Sequence, residues 1–166
     1  MENGQKKLKE LFDGRKVFNI PDYQRAYAWD KTRQLPDFLE DVENQSLGRD
    51  YFLGTILFQE RDEKWQGYDV IDVVDGQQRI TTIIIFMKVL LAELENRLSD
   101  DDFVDKGLDL VVETYIKSRN RSKLKAISPD NDFFQRYVLE DQDGTDYITT
   151  PSQRRLYSAK KFFSEE

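Results

Sequence analysis

The stretch YDVIDVVDGQQRITTIIIFMKVLLAELENRL, residues 68–98, constrains the fold of this chain more than any other. It opens with the β-branched run YDVIDVV and breaks at Asp75-Gly76. It then continues to Leu98 with no further glycine or proline. Beyond the break, Ile80, Ile83, Ile84, Met87, Leu91, Leu94 and Leu98 recur at near-helical spacing, and Ile85, Phe86, Val89 and Leu90 widen the apolar face. The spacing predicts a strand over 68–74 followed by a long, central helix over 77–98. A second reading stays open: Asp-Gly between apolar runs is also the signature of a type I′ hairpin, and Ile83-Ile84-Ile85 has strand character. Length opposes it, because strands usually run about 3–10 residues.

The rest of the chain supplies partners for this unit. Residues 5–13 (QKKLKELFD) read as a short amphipathic helix on Leu8, Leu11 and Phe12, ended by Gly14. Lys16–Ile20 reads as a strand that stops at Pro21, and residues 21–30 as a structured loop. A helix is expected over 33–46, with Pro36 in its first turn. Residues 51–59 (YFLGTILFQ) read as a strand antiparallel to 68–74, joined to it by a turn over 60–67. Gly54 within that strand signals a bulge or a close backbone approach. Ser99 and Asp100–Asp102 offer caps for a helix over 103–118. Then come a basic run, RNRSKLK at 119–125, a brief strand over 123–127, a helix over 132–140, a polar loop over 141–150 and a last helix over 151–164. The expected class is α+β: a small mixed or antiparallel sheet with packed helices over residues 1–98, and a helical extension over 99–166 that reads as cut short before a further region.

Composition narrows the chemistry. The chain has 166 residues, with 39% apolar, 34% charged and 13% aromatic, so it folds and carries a heavily charged surface. Its net charge of −7 makes it a poor generic DNA binder, which needs clustered Lys and Arg; contact with nucleic acid is expected only at a confined basic patch. There is no cysteine and no histidine. Disulfides, thiolate zinc sites, Ser-His-Asp triads and HNH-type nuclease chemistry are therefore excluded for this chain. The start, MENGQKKLKELF, lacks the apolar core of a signal peptide, and the most apolar run, Ile80–Ala92, is too short to span a membrane. No membrane partner and a cytoplasmic location are expected.

Asp75-Gly76-Gln77-Gln78-Arg79 admits two readings at a strand–helix junction. In one, Asp75 is the helix N-cap, accepting from the Gln78 amide, and Gln78 answers as the return half of a capping box. In the other, the unpaired N–H groups of the helix start form an anion site. Arg79 would then present its planar fork to phosphate, Gln77 or Gln78 would orient a water, and Asp75 would hold Mg²⁺ or act as a base. The loop IPDYQRAYAW, residues 20–29, crowds Tyr23, Gln24, Arg25, Tyr27 and Trp29 together. Such a loop suits stacking on a base and pairing with phosphate, and the two stretches are expected to face each other across a cleft.

IPDYQRAYAW, then YFLGTILF, then VIDVVDGQQRITTI, in that order, resemble the N-terminal domain of the GmrSD-type restriction endonucleases, and LKAISPDNDFFQRYVL and RRLYSAKKFF resemble that family's following helical segments. The resemblance implies a ParB/sulfiredoxin-like core that binds and hydrolyses nucleoside triphosphates with Mg²⁺, in a modification-dependent restriction or anti-phage defence protein. Its partners would be an HNH nuclease domain in cis or trans, and DNA through the full-length protein. Asp75, Gln77, Gln78 and Arg79 would be catalytic. Gly76, Arg79, Tyr23, Gln24, Arg25, Tyr27 and Trp29 would bind the nucleotide, and Asp75 the metal. The alternative is a non-catalytic module that senses nucleotide or DNA and regulates the linked nuclease; no Walker-type GxxxxGK[ST] occurs in the chain.

Overall fold

A computed structural model describes residues 4–165; the first three residues of the MENGQKKLKELF start lie outside the described residues. The fold is α+β. Its main sheet has the order β2-β3-β1-β6, from β1 (Lys16–Asn19), β2 (Leu57–Glu60), β3 (Asp69–Asp75) and β6 (Leu124–Lys125). β1 lies between β3 and β6 and runs parallel to both, while β2 is antiparallel to β3 as the hairpin-like spacing predicts. A two-stranded ribbon, β4 (Lys117–Ser118) and β5 (Arg121–Ser122), occupies part of the basic run.

Alternation along the strands sets two faces. Phe18, Ile71 and Leu124 share one register row and are buried on the inner face. Asn19, Asp72 and Lys125 form the next row and point outward, only half-buried. The inner face belongs to the same apolar cluster as α3 (Gln77–Arg97), whose Ile80, Ile83, Ile84 and Ile85 are buried. The long uninterrupted run is therefore a helix, and the hairpin at Asp75-Gly76 does not form. α3 packs in turn on α7 (Pro151–Glu165), where Phe163 meets Phe86 and Phe38 edge-on at 5.3 and 5.9 Å. The segment after residue 98 contributes β6 to the main sheet, and Phe133, Phe134 and Leu156 to the same core.

Several boundaries move, some for a visible reason. The N-terminal helix shortens to α1 (Leu8–Phe12), and the one expected over 33–46 to α2 (Gln34–Glu43). The strand expected over 51–59 keeps only Leu57–Glu60, because Gly54 takes a left-handed φ of +99° that an extended strand cannot hold. The helix expected over 103–118 divides into α4 (Asp100–Asp105) and α5 (Leu108–Tyr115) at Gly107, φ +70°. Ser99 caps α4 through the Asp102 N–H at 3.2 Å. The helix expected over 132–140 begins earlier, as α6 (Ser128–Phe133) with Pro129 in its first turn. It widens into a π-helical turn over Phe134–Leu139.

Candidate functional site

Strand β3 ends at Asp75, and Gly76 turns the chain into α3 with φ +88°. The cap is Gly76 itself. The Asp75 carboxylate does not reach the Gln78 amide: its Oδ1 accepts from the adjacent Gly76 N–H at 2.8 Å. No capping box forms, and the left-handed glycine explains why, since it completes the turn within one residue. Ile80 is the first residue of α3 whose N–H finds a backbone acceptor, Gly76 O at 3.0 Å. The N–H groups of Gln77, Gln78 and Arg79 have no acceptor within the helix. They sit at the carboxyl end of a sheet strand, at the positive end of a helix dipole.

Two walls enclose this junction. The first is the loop over residues 20–29, which folds onto the opening turns of α3. Gln78, only 6% exposed, holds it with both ends of its amide: Oε1 accepts from Ala28 N–H at 2.7 Å, and Nε2 donates to Ala26 O at 3.1 Å. Tyr27 and Thr82 share a hydroxyl hydrogen bond of 2.7 Å, and burial pushes the Tyr27 phenol well above its usual range. Gln24 Nε2 donates to Val74 O at 2.6 Å. Gln24, Tyr27 and Gln78 therefore fasten the loop. Tyr23 is 74% exposed. Arg25 lines a narrow crevice with Gln77, Gln78 and Asp130. Asp130 is buried, and its Oδ2 has no hydrogen-bond partner.

The second wall is the irregular segment over residues 51–56. Arg79 lies flat on Gly54: a Cβ built there would fall 2.7 Å from the guanidinium carbon. Arg79 Nη1 donates to Thr55 O at 3.1 Å, and Ile56 packs against Gly76. Between this segment and α2 opens a cavity of about 330 Å³, lined by Arg79, Trp29, Asp37, Asp41, Tyr51 and Phe52 among others. Tyr51 donates to Asp41 Oδ2 at 2.7 Å. That bond raises the Tyr51 phenol, and the charge of Arg79 pulls the other way.

Trp29 and Arg79 thus share one cavity, whereas Arg25 shares the crevice on the loop side with Gln77 and Gln78. Sequence reasoning misses Asp37, Asp41, Tyr51 and Thr55. The first two are carboxylates four apart on the exposed side of α2, a spacing that puts them on one helix face. For a metal, Asp75 keeps Oδ2 clear of its bond to Gly76. Among the described residues no group of three or more acidic side chains forms a metal cluster. That donor set fits a Mg²⁺ carried largely by phosphate and water, with a single carboxylate beside it.

No curated protein matches the sequence. Among the described residues no helix is long and apolar enough to cross a membrane. The sequence does match the family described as GmrSD restriction endonuclease, N-terminal domain, over residues 8–166, almost the whole chain. The chain belongs to the GmrSD restriction endonuclease N-terminal domain family, a component of restriction systems.

Proposed function

We propose that the cavity beside Arg79 binds a nucleoside triphosphate, and that the chain hydrolyses it as the nucleotide-responsive part of a restriction system linked to a nuclease and to DNA. One observation carries the reading. A glycine-turned helix start, with three N–H groups lacking helical acceptors, stands next to an arginine pinned over Gly54 in a cavity that also holds an indole. The amides of Gln77–Arg79 and the Arg79 fork supply donors to phosphate oxygens. Trp29 offers a surface to the base, and the Asp37 and Asp41 carboxylates are acceptors for sugar hydroxyls. Charge developing on the transferred phosphoryl group meets fixed donors, which is the main catalytic lever in such reactions. Mg²⁺, when bound, neutralises phosphate charge; Asp75 would hold it. Because the amide of Gln78 is committed to the loop, the attacking water falls to Gln77 in this reading, from the crevice side of the junction that it shares with Arg25.

That same commitment favours a second reading, a sensor without turnover. Gln78 joins the helix start to the loop over residues 20–29, so ligand binding at the helix start is felt by the loop. The experiment is phosphate release from GTP, ATP, CTP and UTP with Mg²⁺, together with calorimetric binding. Release that vanishes in Arg79→Ala at unchanged fold supports hydrolysis. Binding without release supports the sensor. Release by Arg79→Ala at the parent rate refutes the role of Arg79.

A further inference from the structure

The outer face of the sheet carries a feature independent of the Arg79 cavity. The turn between β2 and β3 folds back so that Trp65 pairs with Tyr68, and the Trp65 ring, 37% exposed, meets two cations. The Arg121 guanidinium carbon lies 4.2 Å from the ring centroid, and Lys125 Nζ lies 3.6 Å from it. Arg61 stands nearby, bound by both Nε and Nη2 to Asp72, each at 2.8 Å. The β4–β5 ribbon extends the patch with Lys117 and with Arg119, which sits at its tip at φ +55°.

This grouping brings like charges together in a chain whose net charge is −7. Asp72 neutralises Arg61, but among the described residues no carboxylate forms an ion pair with Arg121 or Lys125. Burial and the like charges of Arg121 and Arg61 hold the Lys125 ammonium below its usual range. Cation–π interaction with Trp65 offsets part of this repulsion and holds two long side chains in place. Their ordering cost is thereby met before any partner arrives. An external polyanion would relieve the rest.

We propose that this outer sheet face, with Trp65 pinning Arg121 and Lys125 and the β4–β5 ribbon beside them, docks the phosphodiester backbone of a nucleic acid. The complementarity is one of charge, and the Trp65 ring already meets two cations. Recognition is therefore of phosphates and independent of sequence. It is also confined to one face, since the rest of an acidic chain repels the polymer.

The test is fluorescence anisotropy of the 166-residue chain with a labelled DNA duplex of arbitrary sequence, titrated over rising salt. Arg121→Glu/Lys125→Glu is compared with Arg154→Glu/Lys161→Glu, an equal charge change on α7. Lys117→Glu/Arg119→Glu, on exposed ribbon positions, serves as a second patch variant in case the first unfolds without its cation–π pairs. Affinity is expected to fall at least tenfold in the patch variants and little in the α7 variant. The slope of log K against log salt should flatten by about 1 for each phosphate that is no longer neutralised. The proposal is overturned if the parent shows no binding at low salt, or if the α7 variant weakens binding as much as both patch variants. Polyglutamate competing as well as DNA would overturn it too, because the patch would then take any polyanion.

Discussion

Gly54→Ala tests the arrangement around Arg79 most directly. Two separate costs follow from the structure. A non-glycine residue at φ +99° sits in a region that L side chains avoid, at about 1–3 kcal/mol. The new Cβ would also fall 2.7 Å from the Arg79 guanidinium carbon. The guanidinium is the far end of a flexible side chain, so it moves away, and its bond to Thr55 O breaks at about 1 kcal/mol. Together these make about 3 kcal/mol, or a fall in Tm of about 6–12 °C for a domain of this size. A double-mutant cycle separates them. In the Arg79→Ala background only the backbone cost remains, so the coupling between positions 54 and 79 should be about 1 kcal/mol, above the ~0.3–0.5 kcal/mol scatter of independent sites. Denaturant unfolding of the four proteins measures this without reference to any nucleotide. Additivity within that scatter refutes the close approach of the two residues, and an unchanged Tm for Gly54→Ala refutes the strained conformation. Where the parent releases phosphate, Gly54→Ala should approach the loss seen with Arg79→Ala.

Three further outcomes follow. Gln78→Ala should cost about 2 kcal/mol, since it strands Ala28 N–H and Ala26 O, and should speed tryptic cleavage at Arg25; an unchanged cleavage rate counts against the clamp. Lys123 is 0% exposed and donates to Gly14 O at 2.7 Å, and burial pushes its ammonium down to about 8. The unfolded chain therefore binds the extra proton between pH 8 and the ordinary lysine value of 10.5, so stability should rise with pH across that window, by up to about 3 kcal/mol. Lys123→Met should flatten that rise in urea titrations at successive pH values, and parallel curves for parent and variant would refute it. Arg61 hydrogen bonds hold the Asp72 carboxyl below its usual range. The stability it contributes is therefore present above pH 3.8 and lost as pH falls through the lower folded value; Asp72→Asn should be less stable than the parent at neutral pH and should lose less of its stability on acidification.

The central unit is legible because its signals are local. The β-branched run, the Asp-Gly break and the apolar period of α3 lie within one stretch, and Gly54 signals a close approach that Arg79 makes. What escapes depends on chain reversals. β1 pairs in parallel with β3, and β6 joins it from beyond residue 120, pairings no local pattern encodes. The apolar neighbours of Gly54 place it inside a strand; only the left-handed backbone, fixed by packing against Arg79, converts those residues into the wall of a cavity. DGQQR and the 20–29 loop do meet, at the clamp made by Gln78 and, through Arg79 and Trp29, across a shared cavity; Tyr27 is buried with its hydroxyl bonded to Thr82, which pattern alone does not foresee.

The clamp changes what the DGQQR stretch means chemically. Five consecutive residues divide among four tasks. Asp75 and Gly76 shape the turn, Gln78 ties in the loop, and Arg79 reaches across to the opposite wall; Gln77 faces the crevice that also holds Arg25 and the unpartnered oxygen of Asp130. Because the first turn of α3 touches both walls, any ligand that draws its amides or Arg79 toward itself loads the Gln78 hydrogen bonds and hence the loop. On the proposed reading, hydrolysis and sensing would be two uses of one junction, and a single pair of variants separates them. Gln78→Glu retains an acceptor for Ala28 N–H but removes the donor to Ala26 O, so it should weaken the loop while leaving Arg79 and its cavity in place. If the junction only senses, nucleotide should protect Arg25 of the parent from trypsin, and should bind Gln78→Glu with near-parental affinity but without that protection. If it catalyses, phosphate release should fall in Gln78→Glu and be abolished in Arg79→Ala. Parental protection and parental release together in Gln78→Glu would show that the loop is not coupled to the helix start at all.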